Sequence, residues 1–171
     1  MPRTLKVAIA GLGPVGQAVA RAVLQLPALK LVAVADPAPL HAGKDVGTVL
    51  GLPRKIRVKV EGNPDRFFKK VRADVAFVCT SSLLKDVKPQ IAALVSRRVN
   101  VLTTCEELAW PVPARAAAFK ELDRLAKRKK VSVLATGMAP AFAVMASRAQ
   151  YSPSRIPAGG VRSRRIVCRP C

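Results

Sequence analysis

Histidine and acidic residues are scarce in this chain of 171 residues, which has one histidine and ten aspartates and glutamates against 30 lysines and arginines. A single histidine rules out a histidine-rich metal centre, and a catalytic histidine other than His41 would have to come from outside the chain. Aromatic residues make up 4% of the sequence, which leaves few platforms for stacking nucleic-acid bases.

Long hydrophobic runs are also missing. No apolar stretch approaches the ~18 to 20 residues that span a bilayer, so we expect a soluble, cytoplasmic protein without a membrane partner. Cys168 and Cys171 form a C-x-x-C pair, but no second pair or histidine cluster completes a zinc site. We therefore expect free thiols in a reducing compartment and no bound metal.

Positive charge is the most unusual property of the composition, with a formal net charge of +20. The excess is spread along the chain, since residues 143–171 account for only six arginines, with no acid. Spread positive charge attracts phosphorylated ligands or nucleic acid without sequence preference, but it is equally typical of a solvated surface. We expect no specific nucleic-acid partner.

Short β-branched runs alternate with Ala- and Leu-rich segments whose apolar residues recur every three or four positions. The predicted strands are Leu5–Ala10, Leu31–Ala35, Ile56–Val60, Asp74–Cys79, Asn100–Thr103 and Val131–Ala135. The predicted helices are Val15–Leu26, Leu84–Val95 and Ala114–Arg128. Because parallel strands need crossover connections and strands such as LVAVA and VAFVC are apolar throughout, we predict an α/β fold with a doubly wound, mostly parallel sheet.

The alternating pattern stops after Phe142. Residues 143–171 are rich in Ser, Arg, Pro and Gly and lack the apolar periodicity that could offset the entropy of ordering. We predict one domain over residues 1–142 and a disordered, irregular basic tail over residues 143–171. A genuine tail and the product of a shifted reading frame both fit this composition.

Glycines at positions 11, 13 and 16 form G-x-G-x-x-G between the first predicted strand and the first predicted helix. Gly11 allows the tight turn, Gly13 lets a pyrophosphate approach the backbone, and Gly16 lets helix and strand pack closely. Pro14 suits the first helical position, and with Val15 it opens a helix whose free N–H groups favour phosphate. This arrangement is typical of the dinucleotide-binding turn of a Rossmann fold.

Asp36 ends the second predicted strand, twenty residues after Gly16. The dinucleotide-binding fingerprint has at this point a carboxylate that accepts hydrogen bonds from the adenosine ribose. Its charge favours NAD over NADP, although Lys44 could soften that preference. The alternative is a structural glycine turn with a surface Asp. For His41, we expect an exposed loop residue without a role, and contact with the adenosine end is the alternative.

Two further segments, HAGKDVGTVLGLP at 41–53 and the stretch at 74–111 that contains TTCEEL, carry a family resemblance. With the glycine turn, they resemble the N-terminal domain of the dihydrodipicolinate-reductase-like proteins, above all the 2,4-diaminopentanoate dehydrogenase type, over roughly residues 5–142. The resemblance implies NAD(P)-dependent oxidation of an amine to an imine, or the reverse. It also implies a second, substrate-binding and oligomerisation domain, which is missing here, and a homo-oligomer in the full-length family.

The resemblance implies roles for polar residues that follow the fourth and fifth predicted strands. Thr80, Ser81, Ser82 and Thr104 would lie on the nicotinamide-ribose side of the cofactor cleft, because the carboxyl ends of parallel strands meet at one edge. The alternative for the first three is a simple polar turn between strand and helix.

Glu106 and Glu107 are the candidate catalytic residues, Glu106 slightly ahead. A carboxylate at this edge could hold the substrate ammonium or accept its proton while hydride passes to the nicotinamide. The alternative is that one of them caps the next helix. We interpret Cys105 as a packed thiol, because no histidine accompanies it and the proposed chemistry needs no nucleophile.

The sequence also departs from the family. Residues 137–142 read GMAPAF where the relatives continue with Asn and Gly, which puts the substrate-side contacts in doubt. A dinucleotide-binding or redox-sensing module without chemistry is the alternative function, favoured by the missing second domain.

Overall fold

The computed structural model describes residues 3–109 and 116–136, and within them the chain forms one parallel sheet flanked by helices. The strands are β1 (Leu5–Ala10), β2 (Leu29–Ala35), β3 (Val60–Glu61), β4 (Val75–Val78), β5 (Asn100–Thr103) and β6 (Val133–Ala135). The helices are α1 (Pro14–Gln25), α2 (Val46–Val49), α3 (Pro64–Lys70), α4 (Leu84–Ser96), α5 (Glu106–Ala109) and α6 (Ala116–Lys129). The strand order is β3-β2-β1-β4-β5-β6, and every pairing between them is parallel.

This architecture confirms the predicted doubly wound sheet, and the predicted helices agree with α1, α4 and α6 to within two residues over the described range. The sequence analysis missed α3, although its signals are present: Asn63 accepts a hydrogen bond from the Arg66 N–H as N-cap, and Pro64 opens the helix. None of the helices among the described residues is long and apolar enough to cross a membrane. Residues 137–171, including the predicted tail, lie outside the described residues.

Strand β1 is buried on both faces and divides the core in two. Val7 and Ile9 pack with α1 and the segment around α2, while Ala8 and Ala10 pack on the other face with residues of α3, α4 and α6. All four side chains are at most 2% exposed. Because side chains alternate along a strand, the two alanines lie on one face of β1 and the larger Val7 and Ile9 lie on the other.

The third strand is the one element that was predicted wrongly. It was expected at Ile56–Val60, but β3 contains only Val60 and Glu61. The reason is the Asp45 carboxylate, which accepts hydrogen bonds from the N–H groups of Ile56 and Arg57 at 2.8 and 2.7 Å. Arg57 is also left-handed, with φ of 63°, so the chain is not extended at this residue.

Asp45 organises the whole loop between β2 and β3. Its carboxylate also accepts the Gly47 N–H at 2.8 Å and so caps α2. Burial raises the pKa of Asp45, but the hydrogen bonds from Ile56, Gly47 and Arg57 and the nearby Lys55 charge outweigh it, and the pKa is lower than usual.

We expect Asp45→Ala to destabilise the protein by at least the ~1 kcal/mol typical of a lost N-cap. Because its pKa is lowered in the folded chain, Asp45 stabilises the fold above its unfolded-state pKa. That contribution is lost as the pH falls through the folded-state pKa. Urea unfolding of wild type and Asp45→Ala at neutral and acidic pH should show a difference that shrinks on acidification. Asp65→Ala, whose carboxylate makes no hydrogen bond within the described residues, is the control, and a pH-independent difference would contradict the prediction.

Helices α4 and α6 both end at the amino edge of the sheet, the edge at which the strands begin, with a left-handed basic residue. Arg98 has φ of 61° and Lys130 has φ of 56°. After each, the next N–H closes the turn on a carbonyl five residues back, Val99 to Leu94 and Val131 to Ala126, both at 3.1 Å. Glycine adopts this conformation freely, whereas a side chain costs about 1–2 kcal/mol.

Candidate functional site

A cleft of about 510 Å³ opens at the carboxyl edge of the sheet, where β1 and β4 lie side by side and the connections leave in opposite directions. This is the point at which doubly wound sheets bind their ligands. The residues that line it are Ala10, Gly11, Gly13, Ala35, Asp36, Pro37, Ala38, Pro64, Phe68, Cys79, Thr80 and Gln90.

The glycine turn is packed so tightly that two of its positions exclude any side chain. A Cβ on Gly16 would lie 1.9 Å from the Gly11 carbonyl oxygen, and a Cβ on Gly11 would lie 2.7 Å from the Cys79 carbonyl oxygen. Gly11 is also left-handed, with φ of 91°. The turn therefore holds β1, α1 and the end of β4 in direct backbone contact.

Gly13 is different, because a Cβ there would meet nothing within 4 Å. It is the N-cap of α1, with Pro14 at the first helical position and no acidic residue in the first turn. The N–H groups of Val15 and Gly16 have no partner inside the helix by geometry. An open, positively polarised helix end thus borders the cleft.

We expect Gly16→Ala to destabilise the fold, because the backbone contact with Gly11 cannot relax without moving α1. The loss should be at least the ~1–3 kcal/mol of an overpacked core. Gly13→Ala is the matched control, since its added methyl group enters open space. Thermal unfolding of the two variants should separate them, and equal midpoints would contradict the prediction.

Asp36 follows β2 directly and is buried, with 7% of its surface exposed. One carboxylate oxygen accepts the Leu12 N–H at 2.5 Å, and the other accepts the Ala38 N–H at 2.8 Å. Each carboxylate oxygen has a further lone pair available for an incoming hydroxyl group. The side chain therefore stands fixed at the rim of the cleft.

His41 is less exposed than the sequence analysis predicted, with only 14% of its side chain accessible. Its Nδ1 lies 3.4 Å from the Asp36 carboxylate and makes no hydrogen bond within the described residues. The expectation of an exposed loop residue is wrong. The His41 N–H donates to the Ala38 carbonyl, and the Lys44 N–H donates to the His41 carbonyl. The turn closed by these bonds lies against Asp36.

The polar residues after β4 divide into two groups. Thr80 lines the cleft and donates a hydrogen bond to Gln90 of α4 at 2.7 Å. Ser81 instead donates to Asp86 at 2.9 Å and accepts the Leu83 N–H, so it shapes the start of α4. Ser82 is exposed and turns its carbonyl toward the next loop.

Cys79 lines the cleft next to Thr80, and the Thr104 side chain forms a hydrogen bond with it. Burial raises the pKa of the Cys79 thiol, and a hydrogen bond with the Thr104 side chain only partly offsets this. The thiol is therefore neutral at ordinary pH and contributes shape and not reactivity. Thr104 is held in place by its N–H, which donates to the Val78 carbonyl at 3.2 Å.

Glu106 and Glu107 begin α5 and are both half-buried. The Glu107 carboxylate accepts the Leu84 N–H at 2.8 Å and so caps α4 from outside that helix. Cys105 is fully buried, and its Sγ donates to the Ser82 carbonyl at 3.1 Å, in agreement with the predicted packed thiol.

Among the residues singled out from the sequence, Gly11, Gly13, Asp36 and Thr80 line the cleft. The others are not among its lining residues: Pro14, Val15, Gly16, Ser81, Ser82, Thr104, Glu106 and Glu107. Sequence reasoning missed Pro64, Phe68 and Gln90, which the cleft takes from α3 and α4. Phe68 packs edge-on against Phe67, with ring centroids 5.2 Å apart. In the described part of the chain, no three His, Cys, Asp or Glu residues form a group that could hold a metal ion.

Sheet order, glycine turn and carboxylate together define a dinucleotide-binding domain of the Rossmann type. A family model described as the N-terminus of dihydrodipicolinate reductase matches residues 5–104, more than half of the sequence. The chain belongs to this family, which confirms the resemblance predicted from the sequence.

Relatives with known names agree with this assignment. The chain is 34% identical over 141 residues to 2,4-diaminopentanoate dehydrogenase of Acetoanaerobium sticklandii, a match that covers 80% of this chain but 38% of that protein. The amine dehydrogenase structure of Mycobacterium smegmatis matches with a TM-score of 0.71 and 27% identity, over 78% of this chain and 39% of that one. Dihydrodipicolinate reductase of Paenisporosarcina sp. TG-14 shares the fold, with a TM-score of 0.58 and 19% identity, over 78% and 47%.

Proposed function

We propose that the chain binds NAD or NADP, with NAD preferred, and forms the cofactor half of an oxidoreductase that acts on a small amine or imine. The observation that carries this proposal is the open helix end at Gly13 beside the fixed Asp36 carboxylate, in one cleft at the switch point of the sheet. The names of the relatives, an amine dehydrogenase and a 2,4-diaminopentanoate dehydrogenase, support the amine substrate class.

The cleft offers a distinct surface to each part of the cofactor. Pro37, Pro64 and Phe68 form an apolar wall suited to the adenine ring, next to Asp36 for the ribose hydroxyl groups. The pyrophosphate would lie on the turn formed by Gly11, Gly13, Pro14, Val15 and Gly16. Thr80, supported by Ser81, Ser82 and Thr104, would border the nicotinamide ribose. When bound, the nicotinamide supplies hydride transfer.

The preference for NAD follows from the electrostatics of Asp36. A 2′-phosphate would enter next to a carboxylate whose two oxygens are already held by backbone N–H groups and which cannot swing away. Two negative charges that are close together and partly buried repel strongly, because little water lies between them to screen the interaction. The His41 Nδ1 lies 3.4 Å from the same carboxylate, so His41 is the side chain best placed to weaken this repulsion.

We expect Gly13→Val to abolish NAD binding while leaving the fold intact, because its side chain enters the open space that the pyrophosphate needs. Calorimetric titration of wild type and variant with NAD decides this, and thermal unfolding of both serves as the control. Equal affinities would contradict the proposed cofactor site.

In the same series, Asp36→Ala should narrow the difference in affinity between NAD and NADP, because it removes the charge that repels the 2′-phosphate. A wild type that prefers NADP would contradict the role of Asp36.

Glu106 and Glu107 are the candidates for acid–base chemistry, with Glu106 ahead, and the Glu107 carboxylate also accepts the Leu84 N–H. A half-buried carboxylate at the carboxyl edge can hold an ammonium group or accept its proton. The alternative, a binding module without chemistry, would leave both glutamates purely structural.

We further propose that residues 1–142 are the cofactor domain and that turnover depends on a further domain of the kind that closes over the substrate. The matched region covers only 38% of the 2,4-diaminopentanoate dehydrogenase, so the relative has more sequence with which to close over the substrate. A cytoplasmic location and a homo-oligomeric state are part of the same proposal, supported by the family resemblance.

Fusing residues 1–142 to the C-terminal part of that relative should yield NAD-dependent amine oxidation. In this fusion, Glu106→Gln should lower kcat by about 100-fold or more, with the NAD affinity unchanged, since it keeps shape and removes charge. Glu107→Gln is the matched control, because an amide oxygen can still accept the Leu84 N–H. Unchanged turnover in Glu106→Gln would assign the acid–base role elsewhere.

A further inference from the structure

A second cleft, of about 370 Å³, lies at the opposite, amino edge of the sheet. It is lined by the start of β1, the segment between α3 and β4, and the end of α4, with Arg3, Lys6, Val71, Arg72, Asp74 and Arg97 in its walls. Strand β1, six residues long, separates it from the first cleft by roughly 20 Å. A ligand here would therefore not touch the glycine turn.

The charges in this cleft are not balanced by its own residues. Arg3 is paired with the Asp74 carboxylate at 2.5 Å, and the Lys6 N–H donates to the same carboxylate at 2.7 Å. Within the described residues, the side chains of Lys6, Arg72 and Arg97 form no ion pair. Arg97 is oriented by a hydrogen bond from its Nε to the Val71 carbonyl at 3.1 Å, which leaves its two terminal nitrogens for a ligand.

Helix dipoles do not account for this excess. The C-terminal ends of α3 and α4 both border the cleft, and each carries the equivalent of about half a negative charge. Together with Asp74 they amount to about two negative charges, against four cationic side chains lining the cleft. Lys69 and Lys70, in the last turn of α3, add to the positive side.

Two basic residues at the amino edge of the sheet also lie at positions where a side chain strains the backbone. Arg98 and Lys130 occupy left-handed positions in which glycine would be free of strain. Both follow helices that end at this edge, so the positive charge extends beyond the walls of the cleft.

We propose that this amino-edge cleft is a binding site for a small polyphosphate anion, a chain of two or three phosphates. The guanidinium groups of Arg72 and Arg97 suit bidentate contact with phosphate oxygens, and that of Arg97 is held in a fixed orientation. Lys6 adds a point charge. The volume is that of a small-molecule pocket. None of the six residues named in its walls is aromatic, so it lacks the stacking platform that would favour a nucleic-acid strand.

Calorimetric titration of the whole chain with inorganic tripolyphosphate, at about 50 and about 200 mM salt, tests the proposal. Lys6→Gln/Arg72→Gln should raise the Kd by about tenfold or more, because it removes two charge-assisted contacts from side chains that hold no part of the fold. Lys120→Gln/Arg124→Gln, which removes the same charge from exposed positions on α6, should leave the Kd within about twofold. NAD affinity should be the same in all three proteins.

An equal loss of affinity in the two double variants would overturn the proposal, since it would mean attraction to net charge alone. So would competition between NAD and tripolyphosphate, or tighter binding of a single-stranded oligonucleotide that depends on the same two residues. ATP, titrated with NAD saturating, distinguishes the source of the phosphates. Equal affinity for ATP and tripolyphosphate would support free polyphosphate, and tighter ATP binding would support a nucleotide held by the same chemistry.

Discussion

The contact between the Gly16 α-carbon and the Gly11 carbonyl is the constraint on which the rest of the structure depends. There is no room for even a methyl group between them, so α1 leaves β1 at one fixed angle. That angle directs the open end of α1 at the gap between β1 and β4, and it lets the Leu12 N–H reach the Asp36 carboxylate from the next strand. A turn of six residues thus determines both the packing of the first helix and the shape of the cleft.

A second set of hydrogen bonds connects the carboxyl ends of β4 and β5 and the start of α4. The Thr103 hydroxyl group donates to the Val78 carbonyl at 3.0 Å, and Glu107 of α5 caps α4 through Leu84. A side chain that looks like a candidate catalytic group in the sequence can therefore have a structural role, as the hydrogen bond of Glu107 to α4 shows.

The sequence predicts most of the fold because its signals are local. The G-x-G-x-x-G turn, the apolar strands and the spacing of α1, α4 and α6 depend on neighbouring residues alone. Gly13, Asp36 and Thr80, which these signals single out, line the cleft. What it cannot predict depends on distant partners. Asp45 shortens β3 by taking N–H groups eleven and twelve residues away, and the loop that buries His41 folds back on Asp36.

The two hydrogen bonds that hold Asp36 have a consequence for the energetics of recognition. A side chain that must be ordered when its partner arrives gives up part of the interaction free energy as lost rotamer entropy, on the order of 0.5–1.5 kcal/mol. Here the Leu12 and Ala38 N–H groups have already fixed the carboxylate during folding. The rotamer entropy of the Asp36 side chain is therefore lost when the chain folds, and ligand binding does not reduce it further.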